Sequence, residues 1–218
     1  MAEQLFFDWP TRVALDPGDF FVSTANVVAF GQISAPDTWP LGKMALIGPK
    51  GSGKSHLARV FQHQTGAVIL PAAKITPEFV PPSGHLVIED METLPASAEE
   101  AVFHAHNHLA SSDGRLLLTS AIPPARWPIA LPDLASRMQA TLVANITDPD
   151  DRLLAAVIMK QFQDRQIAPA PGLPAYLAAR IERSFAAAAE IVAALDAAAL
   201  AQRRDVNEAL ARGLLDKA

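Results

Sequence analysis

The chain has no cysteine among its 218 residues. Disulfide bonds, cysteine-ligated zinc and thiol catalysis are therefore excluded, and the absence suits a reducing cytoplasm. It also lacks an uninterrupted apolar run of membrane-spanning length, because Glu190 and Asp196 break the alanine-rich stretch 185–201, which is typical of a soluble helix. Residues 1–4 show no basic segment leading into an apolar one, so no signal peptide is expected. We predict a cytoplasmic protein without a membrane partner.

An excess of positive charge is missing as well. There are 18 Lys and Arg residues against 23 Asp and Glu residues, for a net charge of −5. This balance argues against binding DNA through bulk electrostatics, although a local basic patch is compatible with it. We expect no direct sequence-specific DNA binding. Half of the residues are hydrophobic, which is enough for the core of one large domain or of one and a half.

The sequence does contain a phosphate-binding loop at residues 48–55, which match G-x-x-x-x-G-K-[ST] at every constrained position. The glycines let backbone N–H groups face phosphate oxygens, Lys54 can reach the β- and γ-phosphates, and the Ser55 hydroxyl can coordinate Mg²⁺. A glycine-rich turn that binds nothing is the alternative. The flanks argue against it, because an apolar strand precedes the loop and a helix, whose amino-terminal dipole favours anions, follows it. The predicted contacts are Gly48, Pro49, Lys50, Gly51, Ser52, Gly53, Lys54, Ser55 and His56.

Five short apolar runs alternate with stretches that can hold helices, such as 55–64 and 98–110. The alternation predicts an α/β fold with a five-stranded parallel sheet covered on both faces, and it puts the nucleotide at the carboxyl edge of that sheet. The predicted strands are 44–47, 67–70, 86–88, 116–119 and 142–146.

After Ile146 the chain is almost entirely helix-forming. We predict that Asp148 and Pro149 start the first helix, as a capping side chain and a first-turn proline. The predicted division is an amino-terminal segment at 1–12, a nucleotide-binding core at 13–147 and a small all-α lid at 148–218. The lid helices are predicted at 149–165, 174–182, 184–201 and 205–216.

Two acidic residues, Glu89 and Asp90, end the third predicted strand. A P-loop needs an acid at the end of a neighbouring strand to hold the Mg²⁺ shell, so Glu89 is the predicted metal-directed residue and Asp90 the water-orienting one. Glu89 is one methylene longer than the aspartate usual there. An acidic strand end without function is the alternative.

Three histidines, His104, His106 and His108, alternate along one predicted helix. His104 and His108 have the i,i+4 spacing of a zinc helix, but no glutamate stands in the required place and no third ligand is near. The preferred interpretation is a solvated face with His106 in the core, beside Val102 and Leu109.

Together these motifs resemble the AAA+ ATPases, with a P-loop core and a helical lid. More narrowly, the chain is similar over about residues 10–200 to the nucleotide-binding domain of the DnaA family of replication initiators. It has no room after Ala218 for the helix-turn-helix domain of DnaA, so it looks more like the short, Hda-type members. The segments that carry the resemblance are 23–26, 48–55, 86–91, 103–109, 119–120 with Pro123 and Pro124, 135–138 and 195–204.

The resemblance implies ADP or ATP as ligand, with Mg²⁺, and adenine contacts around Phe21, Val22 and Asn26 and from the lid. It implies that Arg137 is an arginine finger that acts in trans on ATP bound to DnaA. Residues Gln4, Leu5, Phe6 and Phe7 resemble the short motif that binds the sliding clamp, the beta subunit of DNA polymerase; taken alone, they also fit a cluster that tucks against the sheet. The implied function is negative regulation of initiation, and a homo-oligomer or a monomer is compatible with it.

The chain departs from the family pattern at the positions that sense the γ-phosphate. An aspartate normally follows the hydroxyls of the fourth strand, where Ala121 stands, and the sensor arginine of the lid is replaced by Ala186, with Arg183 as a possible substitute. The second arginine of the finger region is replaced by Asp133. We therefore predict a protein that binds nucleotide and hydrolyses it weakly by itself.

Two other functions remain open at this stage. One is an AAA+ motor or helicase loader, against which the net charge and the missing sensors count. The other is a small-molecule P-loop kinase, which needs lid arginines near the phosphates and has only Arg180 and Arg183 to offer.

Overall fold

The computed structural model describes residues 20–216. The predicted clamp-binding residues Gln4, Leu5, Phe6 and Phe7, and with them the whole segment 1–12, lie outside the described residues. Their role stays a prediction.

The core is a five-stranded, all-parallel sheet. All five predicted strands are confirmed to within one residue at each end. The three central strands are buried along nearly their whole length, as a sheet covered on both faces requires. The strands are β1 (Lys43–Ile47), β2 (Val68–Pro71), β3 (Leu86–Glu89), β4 (Leu116–Ser120) and β5 (Leu142–Asn145).

The strand order is β2-β3-β4-β1-β5. The prediction for Glu89 and Asp90 assumed that the acidic strand β3 neighbours the P-loop strand β1, but the two strands are not adjacent. Instead β4 lies between them, with Ile47 paired to Ser120 on one side and Ile88 to Leu118 on the other. The end of β4, at Thr119 and Ser120, thus separates the P-loop from the acidic residues.

Eight α-helices occur in the described part of the chain, and two of them, α1 and α4, were not predicted. Both are only about two turns long, too short for a clear apolar period. The helices are α1 (Val27–Ile33), α2 (Lys54–Thr65), α3 (Glu99–Ser111), α4 (Pro132–Gln139), α5 (Asp151–Asp164), α6 (Leu173–Ala178), α7 (Phe185–Gln202) and α8 (Glu208–Leu215).

The first lid helix begins later than predicted. Asp148 and Pro149 were expected to start it, but the capping residue is Asp150, whose carboxylate accepts the Leu153 N–H at 2.8 Å. Asp150 also accepts the Thr24 hydroxyl at 3.1 Å, which ties the start of the lid to the segment before α1.

The helices α5 to α8 share a hydrophobic core of their own, separate from the two clusters that cover the sheet. Helix α7 is long and apolar enough to cross a membrane by length and composition alone. However, its Ala188, Val192 and Leu195 are fully buried in this cluster, so one face of α7 packs inside the lid. The boundaries predicted for the three domains stay a prediction.

Candidate nucleotide-binding site

The P-loop connects β1 to α2 in a conformation that only glycine adopts easily. Gly51 and Gly53 have φ values of 83° and 93°. Gly48 is needed for a different reason, since a Cβ there would lie 2.8 Å from the Ser52 Oγ and 3.0 Å from the Ile146 Cβ. Gly48 is thus packed closely between the loop and the residue after β5, and successive glycines with positive φ are typical of loops that bind anions through backbone N–H groups.

Lys54 lies over the loop. Its ammonium donates to the carbonyl oxygens of Gly48 at 2.8 Å and Pro49 at 3.0 Å, and the residue is 8% exposed. Burial lowers the pKa of Lys54, while the charges of Asp90, Glu92 and Glu89 partly oppose this by favouring the ammonium form. A buried cation among carboxylates at the mouth of a P-loop is well placed to hold phosphate oxygens.

Buried oxygens without a partner support the fit of a ligand here. Within the described part of the chain, the Ser52 Oγ in the loop and the Glu89 Oε1 at the end of β3 are buried and make no hydrogen bond. Such atoms cost free energy unless something satisfies them. A phosphate oxygen would satisfy the Ser52 hydroxyl, and Mg²⁺ or its water would satisfy the Glu89 carboxylate. The residues therefore fit a magnesium nucleotide, with Ser55 and Glu89 as the groups that would face the metal.

Asp90 occupies an unusual backbone conformation directly after β3. Its φ and ψ are 58° and 54°, in the left-handed region, and its N–H donates to the Thr119 Oγ1 at 3.2 Å. Its carbonyl accepts the Thr93 hydroxyl at 2.7 Å. Two hydroxyls thus hold a turn that leaves the Asp90 side chain exposed, next to the half-buried Glu89.

The structure adds Glu92, which sequence reasoning missed. The Glu92 Oε1 accepts the Ala121 N–H at 3.0 Å, and its Oε2 is buried without a partner in the described residues. Burial raises the pKa of Glu92, but hydrogen bonds from the Ser120 hydroxyl and the Ala121 N–H outweigh it, so the pKa lies below its usual value. A carboxylate therefore stands beside position 121 although that residue is alanine. The only sequence signal was a third acid two residues after Asp90.

The segment before α1 lies against the P-loop through Phe20, a second residue that was missed. A Cβ on Gly53 would lie 3.2 Å from the Phe20 ring, and that ring is 5.3 Å from His56 and stacked 5.7 Å from Phe30. The clue in the sequence was one aromatic directly before Phe21. This contact brings the segment predicted to hold adenine to the P-loop.

The three predicted adenine contacts in this segment differ in accessibility. Phe21 is 36% and Val22 42% exposed, as residues that meet a ligand can be. Asn26 is buried, and its side chain donates to the Phe21 carbonyl at 2.9 Å and accepts the Ser23 N–H at 2.8 Å. Asn26 thus holds the turn, and its direct contact with adenine stays a prediction.

The lid reaches the same loop through the start of α7. A Cβ on Gly51 would lie 3.5 Å from the Phe185 Cβ. The predicted substitute sensor, Arg183, is engaged elsewhere: its guanidinium forms a two-point ion pair with Asp151 of α5, at 2.7 and 2.9 Å. Ala186 is exposed on the first turn of α7. A role for Arg183 at the phosphates requires it to leave Asp151 and stays a prediction.

Arg137, the predicted finger, is exposed near the end of α4. Its Cζ lies 5.0 Å from the centroid of the Phe103 ring on α3. Across residues 20–216, no carboxylate comes within ion-pair distance of its guanidinium. The cation is therefore held by an aromatic face and remains available to an external anion.

The backbone of the Arg137 region is anchored by two buried charged residues, neither of which was predicted. Lys43, at the start of β1, donates to the Arg137 carbonyl oxygen at 2.7 Å. Glu99, at the start of α3, accepts the N–H groups of Ala130 at 3.0 Å and Leu131 at 2.6 Å, just before α4. Both are nearly inaccessible, at 2% and 3% exposed.

The structure separates the three histidines as the preferred interpretation expected. His104 and His108 are exposed, whereas His106 is 5% exposed. The His106 Nε2 lies 3.2 Å from the Lys43 ammonium, and its Nδ1 lies 3.3 Å from the Asn107 amide oxygen. No group of metal-ligating side chains is found in residues 20–216.

No protein-family model matches the chain. Among curated proteins, it is similar to the chromosomal replication initiator protein DnaA of Tropheryma whipplei, with 25% identity over 133 residues. That match covers 60% of this chain and 28% of the relative. The chain thus corresponds to only a part of the initiator it resembles.

Solved structures give the same relationship at the level of the fold. Domain III of Thermotoga maritima DnaA superposes with a TM-score of 0.71 at 17% identity, covering 93% of this chain and 96% of that domain. A DnaA bound to AMPPCP and single-stranded DNA matches with a TM-score of 0.61 at 14% identity, over 83% of this chain and 64% of that one. RuvB of Thermotoga maritima, in its R170A form, also matches at 0.61 and 14% identity, over 90% and 70%.

These similarities and the site define the class of protein. The chain has the AAA+ P-loop fold. Within that class, part of its sequence is similar to DnaA, and its fold is similar to that of DnaA domain III.

Proposed function

We propose that the protein is an Hda-like negative regulator of replication initiation. It binds ADP or ATP with Mg²⁺ at the P-loop, docks on the DNA-loaded sliding clamp through Gln4–Phe7, and promotes hydrolysis of the ATP held by DnaA. Arg137 acts as the finger in trans. The cysteine-free, acidic chain suits this role in the cytoplasm.

The observation that carries the proposal is the location of Arg137 relative to the P-loop. The Arg137 carbonyl is bonded to Lys43 at the amino end of β1, whereas the P-loop follows Ile47 at the carboxyl end. At about 3.3 Å per residue, these ends are about 13 Å apart. An exposed guanidinium that pairs with no carboxylate of residues 20–216, at the edge opposite its own nucleotide, suits a second molecule's nucleotide better than its own.

The protein's own nucleotide serves to hold the fold in its active shape. Lys54 and the loop bind phosphate, but Arg183 is committed to Asp151 and no sensor arginine stands at Ala186. We therefore expect tight binding and slow hydrolysis by the isolated protein. Brisk hydrolysis that Lys54→Ala abolishes would contradict this part of the proposal.

The test is the loss of ATP bound to DnaA from the same organism, measured in single turnover with clamp-loaded DNA. The protein, its Arg137→Ala variant and no addition are compared. Fingers supplied in trans in GTPases are worth about 10³–10⁵-fold, which sets an upper guide. The proposal requires acceleration by the wild type and its loss in Arg137→Ala.

Docking on the clamp is tested separately with a Gln4→Ala, Phe6→Ala double variant. It should retain nucleotide binding but lose both clamp binding and the acceleration. If the wild-type protein itself does not accelerate the loss of DnaA-bound ATP, the protein is not a regulator of DnaA. DNA-stimulated ATPase activity would then support the AAA+ motor, a function with which the RuvB-like fold is compatible.

A further inference from the structure

Three side chains on one face of α3 converge on the supports of Arg137. Glu99, Phe103 and His106 are spaced by four and three residues, so they share one side of the helix. Glu99 accepts the N–H groups that precede α4, and Phe103 lies under the Arg137 guanidinium. His106 contacts Lys43, which in turn binds the Arg137 carbonyl. One face of α3 thus contacts the guanidinium of Arg137 and supports the main chain around it.

The aromatic contact is well defined. The Arg137 Cζ stands 5.0 Å from the centroid of the Phe103 ring, inside the roughly 6 Å range of a cation–π interaction. The ring is itself fixed, because it is half-buried and packed against the hydrophobic cluster that covers this side of the sheet. A fixed ring offers the guanidinium a preferred location on an otherwise open surface.

The main chain beneath the guanidinium is equally constrained. The Arg137 carbonyl accepts from Lys43 at 2.7 Å and from the Thr141 hydroxyl at 3.1 Å. The side chain therefore departs from a fixed point and ends on a fixed surface. A long arginine side chain normally loses rotamer freedom when it enters a site, and part of that loss is already incurred here.

We propose that Phe103 is a positioning residue for Arg137: its ring holds the guanidinium extended and ready to enter the nucleotide site of a second molecule. This inference rests on the proposed function, since it assigns a role to the residue that supports the finger. It predicts an effect on the maximal rate at which DnaA-bound ATP is lost. It predicts none on the protein concentration that gives the half-maximal rate.

The experiment compares Phe103→Leu with Phe103→Tyr and Phe103→Trp in the single-turnover assay. Leucine keeps an apolar side chain but removes the ring, so the saturating rate should fall roughly two- to fivefold, which is the worth of an exposed cation–π contact. Tyrosine and tryptophan keep a ring face and should retain the rate. Phe79→Leu is the matched control, because Phe79 is also half-buried against the same cluster, whereas the ring that lies under Arg137 is that of Phe103.

Two results would overturn the inference: a saturating rate of Phe103→Leu equal to that of wild type, or an equal loss in Phe79→Leu, which would indicate general loosening of the core. Arg137→Ala in the same assay distinguishes failure of the positioning role from failure of the proposed function. If Arg137→Ala loses the activity and Phe103→Leu does not, only the positioning role fails. If Arg137→Ala is as active as wild type, the finger itself is refuted.

Discussion

The ammonium of Lys43 lies 3.2 Å from the His106 Nε2, in a site where the two residues are 2% and 5% exposed. Two basic groups thus share a buried location at the amino edge of the sheet. Burial is the main cause that lowers the pKa of each. The charge of Arg137 adds to this for Lys43. For His106 the charges of Lys43 and Arg137 also lower the pKa, and the hydrogen bond that the ring donates to the Asn107 amide oxygen opposes them. The site therefore favours a neutral imidazole that accepts from Lys43.

This pair predicts a loss of stability in mild acid. The folded-state pKa of His106 lies below its usual 6.5, so under that pH the unfolded chain binds a proton that the folded chain does not. The contribution of His106 to the free energy of unfolding should therefore be present in full above pH 6.5 and be lost as the pH drops below it. Urea unfolding at pH 7.5 and 5.5 measures the effect.

The matched variants are His106→Gln and His63→Gln. Glutamine keeps an acceptor for Lys43 but cannot titrate, so His106→Gln should show a smaller drop between the two pH values. His63 is exposed near the end of α2, and its replacement should leave the drop unchanged. Equal drops in wild type and His106→Gln would mean that other groups cause the acid sensitivity.

Gly48→Ala should damage nucleotide binding more than its small size suggests. The added Cβ would meet the Ser52 Oγ at 2.8 Å and the Ile146 Cβ at 3.0 Å, so the loop must open or the core must shift. Overpacking of this kind costs about 1–3 kcal/mol. Calorimetric titration with ADP should show a loss of affinity of roughly fivefold or more.

Gly31→Ala is the control for this variant. Gly31 lies in α1, and within the described part of the chain no neighbouring atom comes within 4 Å of an added Cβ. Alanine should therefore stabilise the helix by about 0.5–1 kcal/mol and leave ADP affinity unchanged. If Gly48→Ala binds ADP like wild type, the close packing of the loop has no part in binding.

Glu92→Gln should shift nucleotide preference towards ATP. The charge of Glu92 acts on Lys54 together with those of Asp90 and Glu89, so a γ-phosphate would enter beside three carboxylates. Glutamine keeps an oxygen for the Ala121 N–H while removing one negative charge. The repulsion between that charge and a nearby phosphate charge is worth roughly 1 kcal/mol. The ratio of ADP to ATP dissociation constants should rise about fivefold.

Glu100→Gln removes one negative charge from the exposed start of α3 and is the control. It should leave the ratio unchanged. An equal shift in both variants would show that overall charge, rather than the location of Glu92, sets the preference.

The sequence predicted the features that depend on neighbouring residues. The strands were found because each is a short apolar run, and the P-loop because the four constrained residues of its motif fall within eight contiguous positions. The structure supplied the features that join distant residues. Glu92 and Ala121 are 29 positions apart, Glu99 and Leu131 are 32 apart, and Lys43 and Arg137 are 94 apart.

The order of the strands explains why these contacts escaped prediction. Lys43 looks like the polar end of an apolar strand, and only the placement of α4 beside β1 turns it into a helix anchor. Likewise, Glu92 reaches the end of β4 only because β4 lies between β3 and β1. A single sequence gives the strands but not their order.

The ion pair between Arg183 and Asp151 offers a test of whether the lid contacts the phosphates. Both side chains are more than half exposed, so the pair itself contributes only about 0–1 kcal/mol to stability and can exchange at low cost. If Arg183 transfers to a phosphate when nucleotide binds, Arg183→Ala should weaken ADP or ATP binding by roughly tenfold, the worth of a charge-assisted hydrogen bond. Asp151→Asn, which releases the guanidinium, should strengthen binding by comparison with wild type.

Arg180→Ala is the control, because Arg180 is stacked 3.7 Å from the Tyr176 ring and should not affect binding. Unchanged affinity in both Arg183→Ala and Asp151→Asn would assign Arg183 to joining α5 and the start of α7, and would exclude it from the phosphates.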